Sequence, residues 1–210
     1  GTLAVLTEVT IRVVPAPELD RTLVVASASA AESVRLQCAA LGSPHDVSAA
    51  GFDPARGPLL RLGGFATSVA ARATALCDEL RCTPKEVVEG AASRRCWQEL
   101  ASATALAASP IVWRISVPPA DAPAVLERLQ PERYLLDWGG GLIYAAYSAA
   151  DGVRVRNALI SGHATLLKAP AAVRAALPVF QPQPPAVAAV AARLRDAFDP
   201  RGILNPGRMS

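Results

Sequence analysis

The spacing of apolar residues along the chain predicts an ordered series of strands and helices. The first half contains a strand, a helix, two strands, a second helix and a strand, at residues 21–27, 30–41, 45–52, 59–62, 65–80 and 85–89. In the first helix, for example, Val34, Cys38 and Leu41 recur at intervals of three or four. The β-α-β-β-α-β order is that of a split β-α-β unit, also called ferredoxin-like.

The second half repeats this order of elements without visibly repeating the sequence. Its segments are 111–117, 121–129, 133–138, 142–147, 151–159 and 163–168. A helical connector at 91–109 joins the halves, and a terminal helix is predicted at 186–198. We therefore predict an α+β fold in which two ferredoxin-like units, at about 20–90 and 110–168, form one broad antiparallel sheet with helices on one face. The other face would need a covering domain.

Composition and charge narrow the possible functions. The chain has 210 residues, of which 51% are hydrophobic and 19% charged, which is typical of a packed domain. The net charge of +3 comes without a basic run, which argues against nucleic-acid binding. No apolar stretch approaches the roughly 20 residues that span a bilayer, so no transmembrane segment is predicted.

The four cysteines do not suggest a metal centre. Cys38, Cys77, Cys82 and Cys96 contain no Cys-x-x-Cys pair, and only two histidines are present. Iron–sulfur ligation would require a compact thiolate cluster, which these spacings do not supply. We interpret the four as reduced, mostly buried thiols.

Both ends of the chain carry distinctive sequences. A helix stops before Pro200, and Asn205-Pro206-Gly207 forms a tight turn within the C-terminal phrase FDPRGILNPGRM. The chain begins GTLAVLTEVTIRVVP, which is typical of a strand. Three internal phrases are also notable, at Trp113-Arg-Ile-Ser, Asp137-Trp-Gly-Gly and Gly162-His-Ala-Thr. Together these phrases resemble FAD-linked oxidases of the vanillyl-alcohol oxidase type, most closely the FAD-binding E subunits of bacterial glycolate oxidases. Ala4 and Ser161 depart from that pattern, where glycine is usual.

The resemblance implies a domain organisation. Residues 1–15 would be the last strand leaving an FAD-binding domain, residues 16–200 the cap, or substrate, domain, and residues 201–210 a tail returning toward the flavin. We expect the sequence to be a fragment that lacks the FAD domain, carries no bound FAD and is inactive alone. The intact family oxidises 2-hydroxy acids such as glycolate, in a complex with a second FAD subunit and an iron–sulfur subunit. Such a complex would be cytoplasmic or peripheral to the inner membrane.

Two residues are candidates for catalysis. An imidazole with a pKa near ~6.5 suits proton transfer at neutral pH, and the resemblance makes His163 a candidate base or a partner of the substrate hydroxyl. A guanidinium in mid-strand fits a carboxylate bidentately, which makes Arg114 a candidate clamp. In a ferredoxin-like order the two strands would be neighbours. The alternatives are a structural histidine, and an arginine that is exposed or paired internally with Asp137.

The remaining candidates rest mainly on the resemblance. Trp138 would line the pocket or pack on the FAD domain, and Asp137 would orient a cation; a core aromatic is the alternative for Trp138. Backbone near Val5, the Asn205 amide, the Gly207 turn and Arg208 would approach the cofactor; a structural C-terminal turn is the alternative there.

Competing functions remain open. A related FAD-linked oxidase would act on lactate or another hydroxy acid. A scaffold subunit would hold its partners around a degenerate pocket. A ferredoxin-like module that binds nucleic acid is disfavoured by the 5% aromatic content.

Overall fold

The computed structural model describes residues 1–27, 29–149 and 152–207. These residues form two compact units. Ala16–Val179 make the larger one, called here the sheet unit; Gly1–Pro15 together with the chain from Phe180 onward make the terminal unit. The fold is α+β, with one antiparallel sheet of eight strands and seven α-helices within the described residues.

All eight strands belong to the sheet unit. They are β1 (Leu19–Val25), β2 (Ala49–Asp53), β3 (Gly57–Gly64), β4 (Pro84–Glu89), β5 (Ile111–Ser116), β6 (Arg133–Asp137), β7 (Leu142–Tyr147) and β8 (His163–Lys168). Their order across the sheet is β4-β1-β3-β2-β6-β7-β5-β8. The two halves of the chain meet where β2 pairs with β6, through Phe52 and Leu136.

Six helices belong to the sheet unit and one to the terminal unit. They are α1 (Ala30–Gly42), α2 (Ala66–Leu80), α3 (Gly90–Ala101), α4 (Ala122–Leu129), α5 (Gly152–Asn157), α6 (Ala171–Ala176) and, in the terminal unit, α7 (Pro185–Phe198). Within the described residues, none of these helices has both the length and the apolar character needed to cross a membrane.

The helices lie on both faces of the sheet, so the prediction of helices on one face is wrong. Leu23 and Trp113 pack toward α1, α2, α4 and α5. Their strand neighbours Val24 and Val112 point the opposite way, as the two-residue period requires, and pack in a separate core with Trp97 of α3. The connector between the halves therefore covers part of the face that we had expected to be open.

The predicted elements of the sheet unit are otherwise found close to their expected bounds. The main differences are β2, which begins at Ala49 rather than at residue 45, α3, which ends at Ala101 rather than at residue 109, and α6, which was not expected from the sequence. Residues 1–18 contain no strand in the structure, although residues 1–15 were expected to form one. A strand needs a neighbour for its backbone hydrogen bonds, and these residues make no such ladder here.

A carboxylate organises the chain after α7. Asp199 follows the helix and accepts hydrogen bonds from the backbone N–H groups of Ile203 and Leu204, at 3.2 and 2.7 Å. Beyond it, the Nδ2 of Asn205 donates to the carbonyl of Gly1 at 2.7 Å. The two ends of the chain are therefore joined within the terminal unit.

Candidate functional site

Strand β5 places Arg114 on the sheet face that also carries α3. Trp113 and Ile115 point the other way and are fully buried beneath the helices. Arg114 is half-buried, and Val112, two residues before it, is buried in the α3 core. Side chains therefore alternate between the two faces along β5, which leaves one guanidinium on a partly open face.

The pairing of β5 with β8 brings His163 close to Arg114. Ser116 lies directly opposite His163, and Arg114 lies opposite Thr165. Residues opposite each other in an antiparallel pair share a face, so all four side chains belong to one surface, called here the β5–β8 patch. Arg114 and His163 are diagonal neighbours, whose positions on the two strands are about 7–8 Å apart and whose Cβ atoms are somewhat closer.

Gly162 is required for the approach of His163 to β5. Its φ is +91°, and a Cβ at this position would lie 2.0 Å from the carbonyl oxygen of Ser116. The preceding Ser161 donates a hydrogen bond from Oγ to Asp121 at 3.0 Å. The small residues before His163 thus let the chain enter the sheet edge against the β5 backbone.

Trp138 covers Arg114. The guanidinium carbon lies 5.0 Å from the centroid of the indole ring, within the range of a cation–π interaction. Trp138 is 54% exposed, so it is not a core aromatic. Its backbone is left-handed, with φ of 55°, and its N–H donates to Oδ1 of Asp137 at 2.7 Å.

Asp137 contacts the backbone of Trp138 but lies far from His163. It lies opposite Leu142, which lies opposite Ser116, so three strand spacings, or about 14 Å, separate it from His163. Burial raises the pKa of its carboxyl, and the hydrogen bond from Trp138 opposes that shift. Asp137 therefore holds the turn that presents Trp138 to Arg114.

The guanidinium of Arg114 has no anionic partner within the part of the chain that the structure describes. Asp137, the partner considered in the sequence analysis, uses its carboxylate on the backbone of Trp138 instead. A half-buried cation without a counter-ion can bind a carboxylate bidentately. The β5–β8 patch therefore combines a free anion-binding group, an exposed imidazole and two hydroxyl side chains.

The residues expected near the cofactor belong to the terminal unit. Val5 is exposed, Asn205 binds Gly1, and both Asn205 and Gly207 have positive φ. Arg208 lies outside the described residues. The described members of this group therefore belong to the terminal unit, whereas the β5–β8 patch belongs to the sheet unit.

A pocket elsewhere in the sheet unit contains none of the predicted site residues. Its volume is about 290 Å³, and it lies beside α3 against Leu100 and Leu135. Arg56 on its wall already donates to Sγ of Cys96 at 2.9 Å and pairs with Glu86. Carboxylates outnumber cations there, so this pocket suits a hydroxy-acid anion poorly.

Sequence reasoning missed two residues of the patch, Ser116 and Thr165. The signal was present, because Thr165 alternates with the buried Ala164 and Leu166 and so shares a face with His163. The register between β5 and β8 was not readable from local sequence, and only it aligns these residues with Arg114.

Comparisons with known proteins leave the family open. Among the described residues, no group of three or more His, Cys, Asp or Glu side chains is placed to hold a metal ion. No protein-family model matches the chain, and no curated protein matches it.

Proposed function

We propose that this chain is the cap region of an FAD-linked oxidase of 2-hydroxy acids, and that the β5–β8 patch roofs the substrate pocket. The observation that carries the proposal is the convergence of Arg114, His163 and Trp138 at one end of a single sheet face. These residues come from separate segments of the chain, and all three stand in phrases that resemble the glycolate oxidase E subunits.

In this proposal Arg114 binds the substrate carboxylate. The guanidinium has no anionic partner among the described residues, so binding an acid would not require an existing ion pair to break. The indole of Trp138 covers one side of the guanidinium and limits its freedom of orientation. Fixing the carboxylate would orient the adjacent C–OH group toward the neighbouring strand.

His163 would then accept the hydroxyl proton. It lies on β8 diagonally across from Arg114, at a separation that a small hydroxy acid and the arginine side chain can bridge. A neutral imidazole is a suitable proton acceptor near neutral pH. Ser116, opposite His163, offers a hydroxyl that can bind the same substrate oxygen.

The described residues do not form a complete FAD site. In the described ranges no glycine-rich loop leads into a helix N-terminus where a pyrophosphate would bind, and Gly139 and Gly140 instead form a turn against α1. Val5 and Asn205 supply at most one border of a cofactor site. In the resembled oxidases FAD accepts hydride from the substrate; we place its binding site mainly on a domain outside this chain.

Exposed apolar residues support the proposal of a further domain. Large apolar side chains are exposed throughout the terminal unit, among them Val5, Ile11, Val14, Val190 and Phe198. An extensive apolar surface usually marks an interface.

We also interpret the strand orders β4-β1-β3-β2 and β6-β7-β5-β8 as two ferredoxin-like units side by side, the arrangement proposed for the cap.

The test uses the full-length protein in its complex, with Arg114→Ala and His163→Ala as variants. Loss of the proton acceptor should lower kcat for glycolate by about 10²-fold or more, and loss of the guanidinium should raise KM. The matched control is His45→Ala, because His45 pairs with Glu79 far from the patch. The proposal fails if both variants assemble and turn over at the wild-type rate.

That failure would favour a scaffold subunit with a degenerate pocket. Comparison of glycolate, lactate and longer hydroxy acids on the same complex distinguishes the third possibility, a related oxidase with another substrate. We further expect the isolated chain to carry no stoichiometric flavin absorbance; bound yellow cofactor would contradict the placement of FAD on another domain.

A further inference from the structure

The C-terminal cap of α2 brings two cysteines together. Helix α2 ends at Leu80, and Arg81 is left-handed, with φ of 50° and ψ of 45°. The N–H of Arg81 donates to the carbonyl of Asp78 at 3.2 Å, and the N–H of Cys82 donates to that of Cys77 at 3.0 Å. These two bonds define a Schellman motif, in which the side chains at the two ends of the longer bond commonly touch. Here both positions are cysteines.

The two thiols are neighbours at this cap and reachable from solvent. Each of them shifts the pKa of the other, as expected for adjacent side chains. Both side chains are free and only half-buried, packed at the border of the core that contains Leu76. The backbone hydrogen bonds of the cap hold Cys77 and Cys82 side by side, so we expect rotation of the two side chains to bring the sulfurs together.

We propose that Cys77 and Cys82 form a redox site, a dithiol that closes to an intrachain disulfide by exchange with a low-molecular-weight disulfide such as oxidised glutathione. The Cys77 thiolate attacks one glutathione sulfur, forming a mixed disulfide and releasing one glutathione thiolate. The Cys82 thiol then loses its proton to solvent and attacks the Cys77 sulfur, releasing the second glutathione thiolate. Two protein thiols are oxidised, and one glutathione disulfide is reduced to two thiols.

The environment assigns the order of attack and the pH range. Burial raises the pKa of both thiols, and the charge of Asp78 adds to the shift at Cys77. Interaction with Cys82 lowers the pKa of Cys77, whereas burial, the Cys77 charge and interaction with the Cys77 side chain raise the pKa of Cys82 to about 11 while both thiols are reduced. Cys77 is therefore the first nucleophile, and formation of the mixed disulfide should accelerate as the pH rises and more of this thiol is ionised.

Trypsin supplies a specific test, because Arg81 lies between the two cysteines. Cleavage after Arg72, Arg81 and Lys85 places Cys77 in peptide 73–81 and Cys82 in peptide 82–85. The native protein is incubated with oxidised glutathione at mildly alkaline pH, quenched with acid, alkylated and digested. We expect the two peptides to appear joined, at their summed mass less two hydrogens, and to separate on reduction.

Cysteine variants and a denatured sample test whether the folded cap is what causes Cys77 and Cys82 to pair. Cys96→Ser should retain the joined peptides, whereas Cys77→Ser should abolish them and leave Cys82 to be alkylated. In concentrated urea the preference for this pair should disappear in favour of mixed pairings among the four cysteines. The proposal is overturned if both thiols alkylate fully after the treatment, if stable glutathione adducts accumulate instead, or if the native and urea-treated samples give the same products.

Discussion

The guanidinium of Arg114 lies over the indole ring of Trp138, with 5.0 Å between its central carbon and the ring centroid. Arg114 lies on β5, and Trp138 directly follows the end of β6. The hydrogen bond from the Trp138 N–H to Asp137 holds the left-handed turn that makes the contact possible. Asp137 therefore influences the surroundings of Arg114 although it is not one of the residues of the β5–β8 patch.

Replacement of Asp137 should release Trp138. Asp137→Ala removes the acceptor for the Trp138 N–H, and we expect a loss of about 1 kcal/mol in the free energy of unfolding and a change in the near-UV circular dichroism of the indole. Asp137→Asn retains an acceptor oxygen and should preserve the spectrum. An Ala variant with the wild-type spectrum would show that the turn forms without this hydrogen bond.

The carboxyl group of Asp137 should also make the free energy of unfolding depend on pH. Because burial raises the pKa of Asp137 above its ordinary value of 3.8, the folded protein favours the neutral acid. Stability contributed by Asp137 is therefore complete below that value and is lost as the pH rises through the raised pKa. Relative to wild type, Asp137→Asn should gain stability across this window, as measured by urea denaturation at several pH values. A difference that stays constant with pH would contradict the assignment.

Gly162 should tolerate substitution less well than a glycine with a similar backbone and free space. Gly90 has φ of +56° and no atom within 4 Å of a built Cβ, so Gly90→Ala should cost about 1–2 kcal/mol through backbone strain alone. Gly162→Ala adds a clash with the Ser116 carbonyl, which should cost a further 1–3 kcal/mol or so. Equal destabilisation of the two variants, measured by urea unfolding, would indicate that the β8 edge relaxes freely.

The buried carboxylate of Asp20 should contribute far more to stability than the exposed carboxylate of Glu89. Asp20 is 3% exposed and binds Arg61 at 2.6 Å and Arg94 at 3.2 Å. Asp20→Ala leaves these cations without their partner and should cost about 3–5 kcal/mol. Glu89→Ala breaks only the exposed pair with Arg21 and should cost no more than about 1 kcal/mol. Similar losses of stability in the two variants, measured by thermal unfolding, would mean that Arg61 and Arg94 turn into solvent when Asp20 is removed.

A buried chain of hydrogen bonds fixes α3 to the sheet. The Nε1 of Trp97 donates to Oγ1 of Thr22 at 2.8 Å, and that hydroxyl lies 2.7 Å from Oγ of Ser93. Thr22→Val keeps the shape but leaves two buried groups unpaired, which should cost about 2–4 kcal/mol. Thr74→Val, at an exposed site on α2, is the control and should change stability by less than about 0.5 kcal/mol. Near-equal losses of stability in the two variants would indicate that water replaces the Thr22 hydroxyl as the partner of Trp97 and Ser93.

Much of the candidate site could be anticipated from the sequence. Arg114 was expected in mid-strand, on a strand next to that of His163, and the pairing of β5 with β8 confirms both. That Arg114 has no ion-pair partner among the described residues could not be predicted, because it depends on Asp137 turning toward the Trp138 backbone. The proximity of Cys77 and Cys82 also depends on the left-handed conformation of Arg81, which no strong local signal demands.

The sequence by itself determined the kind and order of the elements in both β-α-β-β-α-β series, since hydrophobic periodicity and turn residues act over a few neighbouring positions. It also placed these elements and α7 close to their observed bounds. Only the tertiary structure decided that α3 packs on the opposite face, that β2 pairs with β6, and that Asn205 meets Gly1. These contacts join residues far apart in the chain, and their free energy comes from burial and hydrogen bonding that exist only once the segments meet.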